Sequence, residues 1–250
     1  MTGAGKKPKP SLARALSKMG IASRRVASEW IRGGRVKIGG RIVRNPDQPV
    51  EFPIRNLLIN DRPAASTEKI YLMMHKPKGV VTTRSDERGR KTVYDLLPPD
   101  TPWIFPVGRL DKESSGLLLM TNDTAWGDRL MTPGACEKTY HVKVRGFPDP
   151  LILDRIRKGL KISEERSYGP VAIDKIRETK RSCWLQITLS EGKNRQIRRS
   201  LEYFRFPVET LVRIRIGNLE LGDLKPGEIR RILPGDVSGW PEEIGEEIHS

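Results

Sequence analysis

Gly108-Arg109-Leu110-Asp111-Lys112-Glu113-Ser114-Ser115-Gly116 runs directly into Leu117-Leu118-Leu119-Met120. The apolar run reads as a buried strand, and the glycine-bounded stretch before it reads as a loop pinned to that strand. One acid, Asp111, sits between two bases in the loop. Neighbouring cations favour the ionised form of a carboxylate, which suits a nucleophile better than a proton donor. Taken alone, an aspartate in such a loop is more often a turn or cap residue than a catalyst.

Outward from this strand, apolar alternation predicts others near Ile70–Met74, Ile104–Val107, Tyr140–Val144, Val171–Ile176, Trp184–Leu189 and Thr210–Ile216. Helical spacing appears near Val93–Leu97, Ala125–Met131, Pro150–Lys158 and Arg195–Phe204. Strands outnumber helices, and no regular strand–helix alternation is present. The pattern predicts an α+β domain with a mixed, mainly antiparallel sheet over residues 70–235.

A smaller unit precedes it, over residues 11–66. Ser11 is placed to cap a helix carrying Leu12, Ala15, Leu16 and Met19, which Gly20 ends. Ser23 is placed to cap a second, with Val26, Ala27, Trp30 and Ile31 on its apolar face, stopped by Gly33-Gly34. Val36-Lys37-Ile38-Gly39-Gly40-Arg41-Ile42-Val43 then reads as a hairpin with a two-residue turn. Leu57-Leu58-Ile59 returns a short strand, and residues 60–66 read as a turn and linker. Arg14, Lys18, Arg24, Arg25, Arg32, Arg35, Lys37, Arg41 and Arg44 fall mainly between the apolar positions. A helix–helix–hairpin unit with an apolar inside and a cationic outside follows. Residues 1–10 read as a disordered basic arm and residues 236–250 as an acidic tail.

The charge is distributed to match. The 250 residues carry 46 Lys+Arg against 31 Asp+Glu, a net of +15. Residues 1–62 hold fourteen of the basic and four of the acidic residues, so a quarter of the chain carries two thirds of the net charge. A polyanion is the expected partner of such a module. Mean hydropathy of -0.51 and the lack of an apolar run near the ~20 residues needed to span a bilayer argue for a soluble chain with no membrane partner. Residues 1–10 do not read as a secretory signal. Cys136 and Cys183 lie far apart, so neither a disulfide framework nor a zinc site is expected, and a reducing cytoplasm is.

Several chemistries are absent. His75, His141 and His249 have no metal-ligand spacing. No phosphate-binding G-x-x-x-x-G-K-[ST] loop and no G-x-S-x-G elbow occurs. Cys183 falls in an apolar strand pattern and reads as core. The Asp111 loop remains.

Residues 12–43 resemble the S-four RNA-binding module, on Leu12 through Gly20, Ser23-Arg24-Arg25, Ala27, Ile31, Gly34-Arg35-Val36 and Gly40-Arg41-Ile42-Val43. Further along stand His75-Lys76-Pro77-Lys78-Gly79, Gly108-Arg109-Leu110-Asp111 with Ser115-Gly116-Leu117-Leu118, Glu137-Lys138-Thr139-Tyr140, and Glu191-Gly192-Lys193-Asn194-Arg195-Gln196-Ile197-Arg198-Arg199. In this order they resemble the pseudouridine synthases of the RsuA type, which also carry an N-terminal S-four module. The resemblance covers nearly all of Ser11 to Pro234.

The resemblance implies the site. Asp111 matches the family's essential aspartate, which attacks the target uridine at either the ribose carbon or the pyrimidine ring. The base is detached, turned and rejoined through a ring carbon. Tyr140 matches the tyrosine that stacks on the base and assists proton removal, and Arg198 the cation that pairs with the aspartate. Arg109 would help hold open the RNA from which the uridine is extruded. Lys76 and Arg195 are expected to contact RNA together with the cations of the first module. The implied isomerisation is redox-neutral, so no cofactor and no metal is expected. The implied partner is ribosomal RNA or a ribosomal subunit precursor, met by a monomer. Met131–Cys136 departs from the usual histidine-proline element of the family. Arg195 stands where some relatives of the superfamily have histidine, and the large-subunit members of this branch have arginine there too, which inclines the reading toward large-subunit RNA without choosing the uridine. A non-catalytic ribosome-assembly factor is the alternative function. A glycosidase-like hydrolase would need a second carboxylate, for which Glu113 is the nearest candidate.

Overall fold

The computed structural model describes residues 9–233 and 236. Residues 1–8 of the expected basic arm, and all of the acidic tail but Asp236, lie outside the described residues. The chain forms two compact units. The first takes in the described residues up to Tyr71, with Asp100–Phe105 and Thr121–Asp128; the second takes in the rest.

In the first unit, α1 (Leu12–Lys18) starts at Ser11, whose hydroxyl accepts from the Arg14 N–H at 3.4 Å. α2 (Arg24–Arg32) starts at Ser23, which accepts from the Val26 N–H at 3.2 Å. A serine oxygen satisfies one of the four amides that a helix start leaves unpaired. Four short strands follow: β1 (Val36–Ile38), β2 (Arg41–Ile42), β3 (Leu57–Ile59) and β4 (Arg62–Pro63), in the order β2-β1-β3-β4. Gly39 and Gly40 both have positive φ, 55° and 80°, and Ile38 pairs with Arg41 across them. That is the turn that a Gly-Gly pair permits. The stretch after Asn60-Asp61, expected as linker, instead gives β4 at the sheet edge. A proline is tolerated there because no strand lies beyond to need its missing N–H.

Leu12, Leu16, Ala27, Ile31, Val36 and Leu57 form the centre of this unit's core. Each fully buried Leu or Ile contributes about 1.5–3 kcal/mol. Asn122 is buried in the same unit. Its amide donates to the Glu68 carbonyl at 2.8 Å and its oxygen accepts from the Ile70 N–H at 2.9 Å.

The remaining elements are β5 (Tyr71–Lys76), a 3-10 helix (Val93–Leu96), β6 (Phe105–Val107), β7 (Ser115–Thr121), α3 (Thr124–Met131), β8 (Lys138–Arg145), α4 (Pro150–Arg157), β9 (Leu160–Ser163), β10 (Arg166–Tyr168), β11 (Ala172–Glu178), β12 (Ser182–Leu189), α5 (Gln196–Tyr203), β13 (Val208–Ile216), β14 (Leu219–Glu220) and β15 (Ile229–Arg231). The main sheet runs β11-β12-β8-β13-β7-β5-β15, with β6 on β7 and β14 on β13. β8 pairs antiparallel with both neighbours, while β13 and β7 run parallel. This is the α+β, mainly antiparallel mixed sheet that the strand pattern predicts. Leu117, Leu118, Leu119 and Met120 are fully buried, as a strand covered on both faces must be.

The β9–β10 hairpin, β14 and β15 were not expected. β10 and β15 are short and carry exposed arginines, with no apolar alternation to announce them. The helix expected at Val93–Leu97 is one 3-10 turn, closed by reciprocal bonds between Thr92 and Asp95.

Candidate active site

The start of β7 positions the Asp111 loop. Gly116 stands opposite Arg213 in the parallel pair. A Cβ at Gly116 would lie 2.2 Å from the Arg213 carbonyl oxygen, and φ there is +106°. Glycine is required on both counts, since only it allows β13 so close at that φ. Before it, the Asp111 carbonyl accepts from the Ser114 N–H at 3.0 Å, closing a turn. Thr82 clamps the other side: its hydroxyl donates to the Leu110 carbonyl at 2.9 Å and accepts from the Leu110 N–H at 3.3 Å. Leu110 is itself buried, so Asp111 is held from both chain directions.

Two guanidiniums face one carboxylate oxygen. Arg195 Nη1 lies 3.5 Å and Arg198 Nε 4.0 Å from Asp111 Oδ2. They differ in freedom. The Arg198 side chain is 6% exposed, that of Arg195 38%. Arg198 donates to the Val208 carbonyl at 3.2 Å, the Glu113 carbonyl at 2.9 Å and Ser114 Oγ at 3.3 Å. Its Nε, the atom turned to Asp111, is buried with no hydrogen-bond partner among the described residues. Burial, and then the neighbouring Arg195 charge, lower the Arg198 pKa; Asp111 opposes them. Arg195 is the residue before α5 and sits in the left-handed region at φ 53°, ψ 29°. For a non-glycine residue that conformation costs about 1–3 kcal/mol.

Tyr140 is buried on β8, paired in register with Arg213 on β13 and Ile187 on β12. Arg213 is 3% exposed and donates from Nε to the Leu117 carbonyl at 2.7 Å. Lys76, expected to contact RNA, is fully buried. Its ammonium donates to the Pro77 carbonyl at 2.9 Å and the Val80 carbonyl at 2.7 Å, so it is committed to backbone and not to an RNA phosphate. Burial lowers its pKa to about 8, against the pull of Asp111 and Glu113 and with the push of Arg213.

Asp111, Tyr140, Arg195, Arg198 and Arg213 line one cleft of about 1280 Å³ within the second unit, together with Arg109. Nine arginine and lysine side chains line it against four carboxylates. Such a wall focuses a field that attracts anions. Part of it is a stretch built around Asp86. The Arg90 guanidinium donates to that carboxylate, as do the N–H groups of Arg90 at 2.9 Å and Arg88 at 3.1 Å. These bonds, led by the Arg90 side chain, hold the Asp86 carboxyl far below the usual range. Arg109 is exposed at the cleft. Among the described residues, no group of three His, Cys, Asp or Glu side chains is placed to hold a metal ion.

The sequence pattern of the RNA pseudouridylate synthase family matches residues 70–203, and that of the S4 domain matches residues 12–52. The chain belongs to the RNA pseudouridylate synthase family. The synthase is 34% identical to the ribosomal large subunit pseudouridine synthase B of Bacillus subtilis, over 90% of this chain and 93% of that one. It is 38% identical to an uncharacterized RNA pseudouridine synthase of Rickettsia prowazekii, over 88% and 93% of the two chains. A crystal structure of a pseudouridylate synthase superposes with a TM-score of 0.64 at 26% identity, covering 91% of this chain and 97% of the other.

The synthase therefore gathers Asp111, Tyr140, Arg198, Arg195 and Arg109 at one cleft. In the first unit, Arg14, Lys18, Arg24, Arg25, Arg32, Arg35 and Arg41 are exposed and Lys37 is half-buried. Four of these cations already have partners: Arg25 pairs with Glu29, Lys37 with Asp61, Arg35 Nε donates to Asn60 Oδ1 at 2.7 Å, and Lys18 Nζ lies 5.4 Å from the centre of the Phe52 ring. Sequence reasoning missed Thr82 and Arg213. For Arg213 a signal existed, because it alternates with Leu211 along a strand pattern and so shares that residue's buried face. For Thr82 there was none.

Proposed function

We propose that the protein converts a specific uridine of ribosomal RNA to pseudouridine, with Asp111 as nucleophile. The observation that carries this reading is Asp111 beside the anchored Arg198 in a cationic cleft that Tyr140 also lines. The uridine leaves its stack to enter the cleft. Tyr140 offers an aromatic face to the base, and Arg198 orients the carboxylate from a fixed position. Arg109, at the exposed edge, supports the opened RNA. Asp111 adds to the ribose carbon or to the pyrimidine ring. By either course the bond from N1 to the ribose breaks and one from C5 to the ribose forms. The carboxylate is released, C5 loses a proton and N1 gains one. Atoms and electrons balance without an oxidant or a second substrate.

The first unit would anchor the RNA through phosphates, giving affinity and register and little sequence readout. Similarity to a synthase named for the large ribosomal subunit supports large-subunit RNA as the substrate. The test is pseudouridine mapping in ribosomal RNA from cells with and without the protein. Loss of one modified position in large-subunit RNA is expected. An unchanged map in both subunits would leave the assembly-factor reading in its place.

A further inference from the structure

Asp111 has two guanidinium ion-pair partners of unequal freedom, besides the buried Lys76 ammonium whose charge it pulls on, and nothing in its role as nucleophile asks for two. Arg198 is immobilised by three hydrogen bonds to Val208, Glu113 and Ser114. It stops 4.0 Å from Oδ2, short of a hydrogen bond. Arg195 reaches nearer, to 3.5 Å, and its side chain is more than a third exposed at the cleft. Its charge lies on the same carboxylate oxygen that Arg198 faces. An oxygen so covered is poorly placed to attack.

We propose that Arg195 is an exchangeable partner of Asp111: it holds the carboxylate in the free protein and moves to a backbone phosphate when RNA enters the cleft. Arg198 then remains as the fixed orienting cation, and Oδ2 is uncovered only when substrate is present. Arg195 is thus a positioning residue as well as an RNA contact. A guanidinium suits both partners, since its planar fork matches carboxylate and phosphate alike. The exchange trades one charge-assisted contact for another, so little net energy opposes it. The inference rests on the reading of Asp111 as nucleophile and of RNA as substrate. Its test reads binding, so it stands apart from activity.

The experiment is a double-mutant cycle on RNA affinity. Dissociation constants are measured with unmodified large-subunit ribosomal RNA transcript for the wild type, D111N, R195A and the double variant. Removing the Asp111 charge always relieves some repulsion of RNA. If Arg195 leaves Asp111 on binding, D111N also frees Arg195 in advance. The gain in affinity from D111N is then larger when Arg195 is present, by about two- to fivefold, the range of a partly exposed ion pair. If Arg195 stays on Asp111, it screens the repulsion, and the gain is equal or smaller when Arg195 is present. The sign of the coupling thus decides. R195K keeps a cation and should restore the coupling, which loss of a merely structural side chain would not do. Arg195 is exposed, so melting temperatures should match across the set. Zero or opposite coupling overturns the proposal. Positive coupling with an active D111N would retain the exchange and remove the nucleophile assignment instead.

Discussion

Thr82 and Leu110 are joined twice, the threonine hydroxyl donating to the leucine carbonyl and accepting from its amide. Twenty-eight residues apart in the chain, they fix the backbone next to Asp111. Thr82→Val keeps the shape and removes both bonds. It leaves a buried carbonyl and a buried amide unpaired, at a cost of about 1–3 kcal/mol. The single-turnover rate should fall more than tenfold, because Asp111 loses its support, while RNA affinity holds. Melting and rate measured on one preparation check this, and a full rate with a lowered melting temperature would limit Thr82 to stability.

Asp111→Asn should abolish isomerisation and change RNA affinity by no more than a few-fold. The motive is that one carboxylate is removed from a cleft with nine cations. Tritium release from C5-labelled transcript is the direct assay. Full activity in the variant would move the nucleophile elsewhere.

Gly116→Ala and Gly108→Ala form a matched pair. Both glycines have positive φ, but a Cβ at Gly108 meets nothing within 4 Å, whereas at Gly116 it meets the Arg213 backbone. Gly108→Ala should cost about 1 kcal/mol, and Gly116→Ala about 3 kcal/mol or more. Equal urea midpoints for the two would mean that β7 and β13 approach less closely than described.

Lys76 gives a pH dependence with a definite sign. Its pKa falls from 10.5 in the unfolded chain to about 8 in the folded one. Below pH 8 the group is charged in both states, and the folded state bears the burial cost. Between pH 8 and 10.5 the unfolded chain holds the extra proton, so this group's contribution to stability rises with pH. The stability of the wild type relative to Lys76→Met should therefore increase across that window, by at most about 1.4 kcal/mol per pH unit. A flat or falling difference in urea unfolding would mean that Lys76 keeps its ordinary pKa.

Deleting residues 1–66 should weaken RNA binding and flatten its salt dependence. Every phosphate that the shortened chain no longer neutralises lowers the log–log slope by about 0.7–0.9, according to RNA form. Cut there, the chain keeps Glu68 and Ile70, which bond Asn122. The second unit should fold and convert substrate at high RNA concentration. Binding across a salt series, followed by single-turnover conversion, checks both points; an unchanged slope would show that the first unit does not anchor phosphates.

Local signals in the sequence determined most of the fold. Ser11 and Ser23 start helices, Gly39-Gly40 turns a hairpin, and the Leu117–Met120 run is a strand buried on both faces. Each depends on a few adjacent residues whose chemistry is decided by the backbone nearby. Motif order placed Asp111, Tyr140 and Arg198 in one reading, and the tertiary structure brings them to one cleft. What the chain alone could not decide was which cations face outward. Lys76 stands in a motif beside Lys78 and looks equally free, yet sheet packing buries it against the Pro77 and Val80 carbonyls. Arg195 and Arg198 lie three residues apart and look alike. Only the packing of α5 anchors one on Glu113, Ser114 and Val208 and leaves the other at the cleft. Burial and long-range hydrogen bonds are properties of elements distant in sequence, so the Thr82 clamp on Leu110 and the unequal freedom of the two arginines exist only once the sheet has formed.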